Sequence, residues 1–325
     1  MKYRSTSKFP VSVSVIGLGC WELSGPGFWK NSNDEDSIKV VHRALSLGIN
    51  FFDVAPVYGF GHAEELLGRA LKGFPRDKVI IATKCGLIWD ESRRIKRCLR
   101  KESIFSEIEA SLRRLRTDYV DLYQLHWPDP NTPIEETMEA MLILKDQGKI
   151  RYIGLSNFSV DTAERLLPYI SSMQGLYNLF ERNAKSYHNI PLEYRTEREV
   201  LPFCKRHGLA FFPYSPLMQG VLTGKLTAKD KFDDVRSSNP KLMGEKYLKL
   251  LYATEKLLEV AKRIDKPLSQ LSLNWLIKHE EITSVIVGAS KPEEVEENVG
   301  TVEWELDENT YQEIETILSG MDIIE

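Results

Sequence analysis

Residues 50–59 read Asn50-Phe51-Phe52-Asp53-Val54-Ala55-Pro56-Val57-Tyr58-Gly59. This stretch opens as an apolar run with the length of a buried strand, and Pro56 and Gly59 then indicate a loop. Asp53 stands where the strand should end, and Tyr58 lies in the loop that follows. A carboxylate and a phenol held at the end of a strand are suited to proton transfer.

Apolar runs of strand length alternate with helical segments along the whole chain. Strands are predicted at Val13–Gly19, Asn50–Ala55, Val79–Cys85, Tyr119–His126, Ile150–Ser156, Gly175–Leu179, Leu209–Tyr214 and Thr283–Val287. Helices are predicted at 33–48, His62–Leu71, 103–115, 132–148, 159–167, Glu197–His207, Lys246–Ile264, Leu268–His279 and Glu308–Leu318. Apolar strands that are each followed by a helix form parallel sheets covered by helices. Eight such units predict an α/β fold, a single (β/α)8 TIM barrel over residues 1–325.

A doubly wound sheet is the alternative fold. Its first strand normally leads into a G-x-G-x-x-G turn, and Gly17-Leu18-Gly19-Cys20-Trp21-Glu22 lacks the third glycine. The barrel prediction also leaves a long polar loop after strand seven, from Leu217 to about Lys246, and an extra C-terminal helix. A loop of this length is a candidate lid over a binding site.

Composition excludes several kinds of partner. The 325 residues carry a net charge of -4, with both signs interspersed, so neither nucleic acid nor an anionic membrane is the expected partner. A short basic cluster at 93–101 is interpreted as a solvated loop. No apolar run reaches the ~18 residues of a membrane span. Lys2, Arg4 and Lys8 precede an apolar run that is too short and too broken for a signal peptide and is interpreted as a strand.

The four cysteines point to a reducing compartment. Cys20, Cys85, Cys98 and Cys204 have neither CxxC nor metal-type spacing. Isolated thiols in a long chain are typical of cytoplasmic proteins, and no metal site is expected.

The ends of the predicted strands supply further candidates for chemistry. Strand three ends near Lys84 and strand four at His126, and in a barrel these ends meet Asp53 and Tyr58 at the same face. A buried lysine needs a counter-charge, which Asp53 can supply. The ammonium beside Tyr58 is then expected to lower the pKa of the phenol. Each of the four residues alone has a structural explanation, whereas all four at one barrel face predict a catalytic site.

The order Asp53, Tyr58, Lys84 and His126 resembles the catalytic tetrad of the aldo-keto reductases. Further matching motifs are Gly17-Leu18-Gly19, Asp53-x-Ala55-x-x-Tyr58-Gly59, Gly154-x-Ser156-Asn157, Tyr214-Ser215-Pro216-Leu217, Gly220-x-Leu222-x-Gly224-Lys225 and Gly288-Ala289-Ser290…Glu297-Asn298. The glycines after strand seven are like those of the bacterial and channel-subunit branches. The resemblance implies reduction of a carbonyl by hydride from a nicotinamide cofactor. It also implies that Tyr58 donates the proton, Lys84 paired with Asp53 tunes Tyr58, and His126 orients the carbonyl.

The resemblance also implies where the cofactor binds. Ser156, Asn157 and Gln174 correspond to carboxamide partners, and Tyr214 to the ring that stacks on nicotinamide. The other implied contacts are Gly19, Trp21, Asp53, Ser215, Leu217, Gln219, Gly220, Lys225, Gly288, Ser290, Lys291, Glu294, Glu297 and Asn298. NADP(H) is the family default and is expected over NAD(H). Glu294 departs from the Arg or Gln of several NADPH-preferring members and would repel a 2′-phosphate, which Lys291 could still neutralise.

Aromatic residues near the strand ends predict the substrate pocket. The expected set is Trp21, Tyr58, Trp89, His126 and Trp127. Aromatic walls with one polar corner suit small aldehydes, ketones or the face of a sugar. Two other functions stay open: an NAD-linked sugar dehydrogenase, and a regulatory subunit like those of potassium channels that keeps the cofactor site. The sequence carries no signal for the oligomeric state.

Overall fold

Eight parallel strands form the centre of the computed structural model, which describes residues 1–29 and 32–321. They are β1 (Ile16–Gly19), β2 (Phe51–Asp53), β3 (Ile80–Cys85), β4 (Val120–Leu125), β5 (Ile150–Ser156), β6 (Ser172–Leu176), β7 (Ala210–Tyr214) and β8 (Val285–Gly288). Neighbours in the chain are neighbours in the sheet, and β8 pairs with β1. A parallel bridge between Phe211 and Ile282 joins β7 to the segment before β8. The predicted (β/α)8 barrel is therefore confirmed.

Helices surround this ring. They are α1 (Asp34–Ser46), α2 (His62–Ala70), α3 (Lys101–Leu115), α4 (Ile134–Asp146), α5 (Val160–Leu166), α6 (Leu201–His207), α7 (Gly244–Arg263), α8 (Leu268–Lys278), α9 (Pro292–Val299) and α10 (Glu308–Ser319). Asn33 and Ser159 cap α1 and α5 through side-chain oxygens that accept backbone N–H bonds, and Gly208 ends α6 with a φ of 64°. Among the described residues, the structure contains no helix long and apolar enough to cross a membrane.

Alternate residues of each strand point into the barrel and fill its lower half, the half at the amino ends of the strands. Phe51 and Phe212 stack there with ring centroids 4.7 Å apart, and Phe9 meets Phe212 edge to face. Phe9 belongs to an N-terminal hairpin in which Tyr3–Arg4 pairs with Val13–Ser14. Because this hairpin packs against the inner cluster, the lower end is sealed, and the open end of the barrel lies at the carboxyl ends of the strands.

Three predicted boundaries are wrong. The run from Val13 to Gly19 is two strands, since Val13–Ser14 pairs in the hairpin and only Ile16–Gly19 enters the barrel. The sixth strand is Ser172–Leu176 rather than Gly175–Leu179, because its polar side chains face the interior and the apolar run that follows packs in the outer core. Ser103 does not cap α3, which begins at Lys101; its hydroxyl donates to Glu107 within the helix.

The connection after β7 is long, as predicted, and is tied to the barrel by hydrogen bonds. It contains short 3-10 turns at Met218–Thr223, Val235–Ser238 and Pro240–Leu242 before α7 begins. The Val235 N–H donates to the Phe28 carbonyl at 3.1 Å, and Asn239 donates to the Gln219 side chain at 2.9 Å. This segment therefore borders the open end of the barrel.

Candidate active site

Lys84 is the centre of the site. Its side chain is fully buried near the end of β3, and its ammonium donates to Asp53 Oδ1 at 2.6 Å, the Val54 carbonyl at 3.1 Å and the Tyr58 hydroxyl at 3.3 Å. Three acceptors match the three N–H groups of an ammonium. A buried lysine is tolerated only when it is paired in this way. The structure thus brings together the lysine, the carboxylate and the phenol that the sequence singled out.

The second oxygen of Asp53 accepts from two amides. Gln124 donates to Oδ2 at 3.1 Å and Gln174 at 2.9 Å. Asp53 is 2% exposed, so these bonds replace the water that its carboxylate loses on burial. Sequence reasoning missed Gln124, although one signal was present: it is a polar residue at an inward-facing position of β4, two residues before His126.

The turn after β2 fixes Tyr58. Gly59 has a φ of 63°, and a Cβ on it would lie 2.3 Å from the Ser24 carbonyl oxygen. Only glycine fits such a position. The Tyr58 ring lies 6.3 Å from Trp21 and 6.1 Å from His126, centroid to centroid. The phenol is therefore held between an indole and an imidazole at the barrel mouth.

The pKa shifts at this corner differ from the sequence-based expectation. Burial raises the pKa of Tyr58 well above its usual value, and the charges of Asp53 and Glu22 add to the effect. The expected lowering is wrong because burial of the phenol, together with the Asp53 and Glu22 charges, outweighs the Lys84 ammonium 3.3 Å away. Burial lowers the pKa of His126 well below its usual value, and Lys84 adds to that effect. At neutral pH both rings are uncharged, so the phenol keeps its proton and the imidazole keeps one N–H.

His126 follows β4 and is held through its backbone. Its N–H donates to the Cys85 carbonyl at 2.9 Å, and its carbonyl accepts from the Asn157 side chain at 3.1 Å. His126, Tyr58 and Trp127 line one cavity of about 580 Å³ at the open end of the barrel. The four predicted catalytic residues therefore meet at one corner of a cleft.

A second wall of the cleft comes from β5, β6 and β7. Ser156, Asn157, Gln174 and Tyr214 all line it. Asn157 has a left-handed backbone with φ of 65°, and its side-chain oxygen accepts from the hydroxyls of Tyr194 at 3.0 Å and Tyr214 at 2.8 Å. The second bond anchors the Tyr214 ring, which makes it a firm platform for a planar group.

The loop after Tyr214 has an unusual backbone. Ser215, Met218, Gln219 and Gly220 all have positive φ, and Leu217 lies between them. Turns of this kind can present backbone N–H groups to an anion. Two N–H groups of this loop are already used within it, since Met218 donates to the Ser215 carbonyl and Gly220 to the Leu217 carbonyl, each at 3.0 Å. The Gln219 amide bonds the His188 imidazole at 2.9 Å. The loop is therefore a candidate site for the pyrophosphate of a dinucleotide.

The far end of the cleft is acidic. Glu294 on α9 accepts from the N–H of Ser290 at 2.7 Å and from its hydroxyl at 3.0 Å. Glu297 accepts from Lys225 at 3.3 Å and from the Ser269 hydroxyl. Asn298 donates to the carbonyl of Gly288, which pairs with Gly19 across β8 and β1.

Besides Lys84, which is buried behind the lining residues Asp53 and Tyr58, two predicted side chains lie away from the cavity lining that the described residues form. Lys291 is exposed at the start of α9. Trp89 packs on Phe60 at 5.4 Å in a hairpin of Leu87–Trp89 and Ile95–Arg97, and Leu87 and Ile95 line the cavity instead. Their predicted roles stay predictions. A lining carboxylate that sequence reasoning missed is Glu22, whose signal was a charge immediately after the β1 motif.

The basic cluster at 93–101 borders the same cleft. Arg94 pairs with Asp90 and Lys101 with Glu139. Arg97 is placed differently: its guanidinium lies 5.2 Å from the centroid of Trp127, beside the mouth. Part of the cluster interpreted as a solvated loop thus lies against the aromatic rim.

Comparisons with known proteins agree with this geometry. Residues 15–319 match the Aldo/keto reductase family. The chain is 38% identical to aldo-keto reductase YhdN of Bacillus subtilis (strain 168), over 98% of this chain and 94% of the relative. It is 34% identical to the NADH-specific methylglyoxal reductase of Escherichia coli (strain K12), over 90% of each. The solved structure of the glycerol dehydrogenase AKR11B4 from Gluconobacter oxydans superposes with a TM-score of 0.87 at 33% identity, covering 100% of this chain and 97% of that one.

Proposed function

The chain belongs to the aldo/keto reductase family, and on that premise we propose that it reduces aldehydes, ketones or sugar carbonyls with a nicotinamide dinucleotide. The observation that carries this proposal is the corner formed by Tyr58, Lys84 and His126. It holds a neutral phenol that contacts a buried ammonium, beside a neutral imidazole. Such a corner can give a proton and hydrogen bonds to an oxygen on which negative charge develops.

Each residue of the corner has a separate task. A nicotinamide bound in the cleft would supply the hydride to the carbonyl carbon. Tyr58 transfers its hydroxyl proton to the carbonyl oxygen, so the product is an alcohol and the phenol becomes a phenolate. The Lys84 ammonium donates to that phenolic oxygen and stabilises its new charge. His126 donates its N–H to the carbonyl oxygen and orients it. Asp53 keeps Lys84 charged and in place through the 2.6 Å contact.

The second wall and the loop after it would hold the dinucleotide. The Asn157 amide is already bonded by the protein, and the Gln174 Nε2 group donates to Asp53. Within the described contacts, the Ser156 hydroxyl hydrogen and the Gln174 carbonyl oxygen remain for a carboxamide. Tyr214 would support the nicotinamide ring. The loop of Ser215, Leu217, Gln219 and Gly220 would lie against the phosphates, with N–H groups other than that of Gly220, which donates to the Leu217 carbonyl, available as donors.

The acidic far end supports NAD(H) over the family default NADP(H). Glu294 accepts hydrogen bonds from the N–H and the hydroxyl of Ser290. These two donors are therefore not available to a 2′-phosphate. Lys225, the lysine that lines this end among the described residues, already pairs with Glu297. A carboxylate next to the ribose repels a 2′-phosphate and can accept from a 2′-hydroxyl. The E. coli relative named as NADH-specific agrees with this preference.

The substrate end of the cleft is apolar with a polar corner. Trp21, Trp29 and Trp127 line it together with Leu87 and Ile95. Trp29 meets Trp21 edge to face at 5.2 Å, and its indole N–H donates to the Trp21 carbonyl, which fixes both rings. Such walls favour small carbonyl compounds or one face of a sugar.

Replacing Tyr58 with Phe tests the mechanism. We expect Tyr58→Phe to lower the reduction rate about 10²- to 10⁴-fold, the usual share of a general acid, because the proton donor is lost. NADH binding, followed by quenching of protein fluorescence, should change little. Tyr252→Phe is the matched control, since Tyr252 is 58% exposed on α7. Full activity of Tyr58→Phe would rule out the proposed donor.

An NAD-linked sugar dehydrogenase is the second candidate, supported by Glu294 and by the glycerol dehydrogenase among the similar structures. The same four residues serve oxidation when each step runs in reverse. Assays of carbonyls and of polyols, with both dinucleotides and in both directions, separate the two activities. Faster oxidation than reduction at neutral pH favours the dehydrogenase. Tight dinucleotide binding without turnover on either panel favours a binding subunit.

A further inference from the structure

Glu22 is a carboxylate in the cleft that the proposed mechanism does not use. It follows β1 in the turn Trp21–Ser24 and lines the cavity opposite α9. A Cβ on Gly288 would lie 2.0 Å from Glu22 Oε1, so a glycine at the end of β8 makes room for this carboxylate. Within residues 1–29 and 32–321, the Glu22 carboxylate has neither an ion pair nor a hydrogen bond from another residue.

Among the residues that the structure describes, the groups that face Glu22 from neighbouring elements do not compensate its charge. Burial of the carboxyl group raises the pKa of Glu22 to about 7, and the negative charge of Glu294 on α9 adds to this effect. On the barrel side lie Cys20 and Tyr58, whose pKa values are both raised. Tyr187, across the cleft, is also a neutral phenol. Three cations in or beside the cleft, among the described residues, are paired with other carboxylates: Lys84 with Asp53, Lys225 with Glu297, and Arg236 with Asp234.

We infer that the dinucleotide binds with Glu22 protonated, so that binding takes up a proton from solution. The inference rests on the proposed function, because it requires a dinucleotide in this cleft. The ligand brings two phosphate charges into a space that already holds Glu22 and Glu294. Like charges in a partly desolvated site favour the neutral form of a carboxyl group. Glu22 can lose its charge near neutral pH, whereas the phosphodiester groups cannot.

The sign of the pH effect follows from linkage. Since the complex favours protonated Glu22, its pKa in the complex lies above that in the free protein. The affinity is therefore fully present well below pH 7 and falls as the pH rises through about 7. Between pH 6 and pH 8 the dissociation constant should increase about tenfold. The pKa values of Tyr58 and His126, also in the cleft, are shifted away from this range. Burial also lowers the pKa of His188, which bonds Gln219.

NADH titrations with fluorescence detection at pH 6, 7 and 8 test the inference. The wild-type protein should show the tenfold weakening. Glu22→Gln, which cannot ionise, should bind NADH with nearly constant affinity and about tenfold more tightly than wild type at pH 8. Glu293→Gln is the matched control, because Glu293 is exposed on α9 outside the cleft and its loss should leave the wild-type pH dependence.

Calorimetric titration of the wild-type protein gives a second measurement that needs no variant. In two buffers of different ionisation enthalpy, NADH binding at pH 7 should take up about half a proton. A flat wild-type profile, or Glu22→Gln binding more weakly by the same factor at every pH, would overturn the inference and make Glu22 a ribose acceptor. Both results would leave the proposed function intact. Absence of NADH and NADPH binding at every pH would overturn the proposed function itself.

Discussion

The two ends of the cleft treat charge in opposite ways. At the barrel mouth, Lys84 and Asp53 are buried and meet at 2.6 Å, and Gln124 and Gln174 complete the shell of the carboxylate. At the far end, Glu22, Glu294 and Glu297 face a single lysine, Lys225, among the lining residues that the structure describes. One end is compensated before any ligand arrives, and the other is left with excess negative charge.

The difference follows from what each end has to do. A proton-transfer corner must present fixed dipoles, because reorganising them during the reaction would raise the barrier. A binding end can keep unmatched charge, because the ligand or a proton completes it and so sets which ligand fits. We therefore expect substitutions at the mouth to change stability and rate, and substitutions at the far end to change which dinucleotide is bound and at which pH.

The largest effect is expected when the compensated pair is broken. Lys84→Met leaves the Asp53 carboxylate buried without a counter-charge, which should lower the free energy of unfolding by about 3–5 kcal/mol. The reduction rate should fall as well, because Tyr58 loses its cationic neighbour. Urea unfolding measures the first effect and steady-state assays the second.

The double variant Lys84→Met with Asp53→Asn is the control for that prediction. It removes both charges, so most of the stability should return while the activity stays low. If Lys84→Met alone were as stable as the wild type, the stability of the protein would not depend on the Lys84–Asp53 pair. The proposed difference in charge compensation between the two ends of the cleft would then be wrong.

A smaller effect is expected when the shell of Asp53 is weakened. Gln124→Leu removes one hydrogen bond to a buried charge, which should cost about 1.5–3 kcal/mol of unfolding free energy. Gln147→Leu, at an exposed position after α4, is the matched control and should change stability by less than about 0.5 kcal/mol. Equal stability of Gln124→Leu and wild type would mean that Lys84 and Gln174 suffice to hold the carboxylate.

The residues at the barrel mouth were easier to predict from the sequence than those at the far end of the cleft, and the reason is geometric. Asp53, Lys84 and His126 follow apolar runs, and parallel strands bring such ends together. Gln124 was not predicted, because whether its side chain points into the barrel depends on the register of β4. The position of the sixth strand was predicted wrongly because the side chains on its inner face are polar. Glu22 could not be assigned, because its environment depends on Gly288 and Glu294, which lie more than 260 residues away in sequence.

The smallest effect is expected at Glu294, and it tests the far end alone. Glu294→Gln keeps the size of the side chain but removes the charge next to Ser290. The ratio of NADPH to NADH affinity should rise about fivefold, equivalent to about 1 kcal/mol for one partly exposed charge acting on a phosphate. Fluorescence titrations with both dinucleotides measure it, with Glu293→Gln as the reference for a charge removed outside the cleft.

Salt dependence separates a charge effect from a shape effect at Glu294. Because this carboxylate is partly exposed, a Coulombic preference should shrink as the ionic strength is raised from 0.01 to 1 M, where the screening length falls from about 30 Å to about 3 Å. A preference for NADH that persists unchanged at high salt would come instead from the hydrogen bonds that Glu294 keeps with Ser290, which fill the place of the 2′-phosphate. In that case Glu294→Gln, which can keep a hydrogen bond to Ser290, should leave the ratio near the wild-type value, and selectivity at the far end would be steric rather than electrostatic.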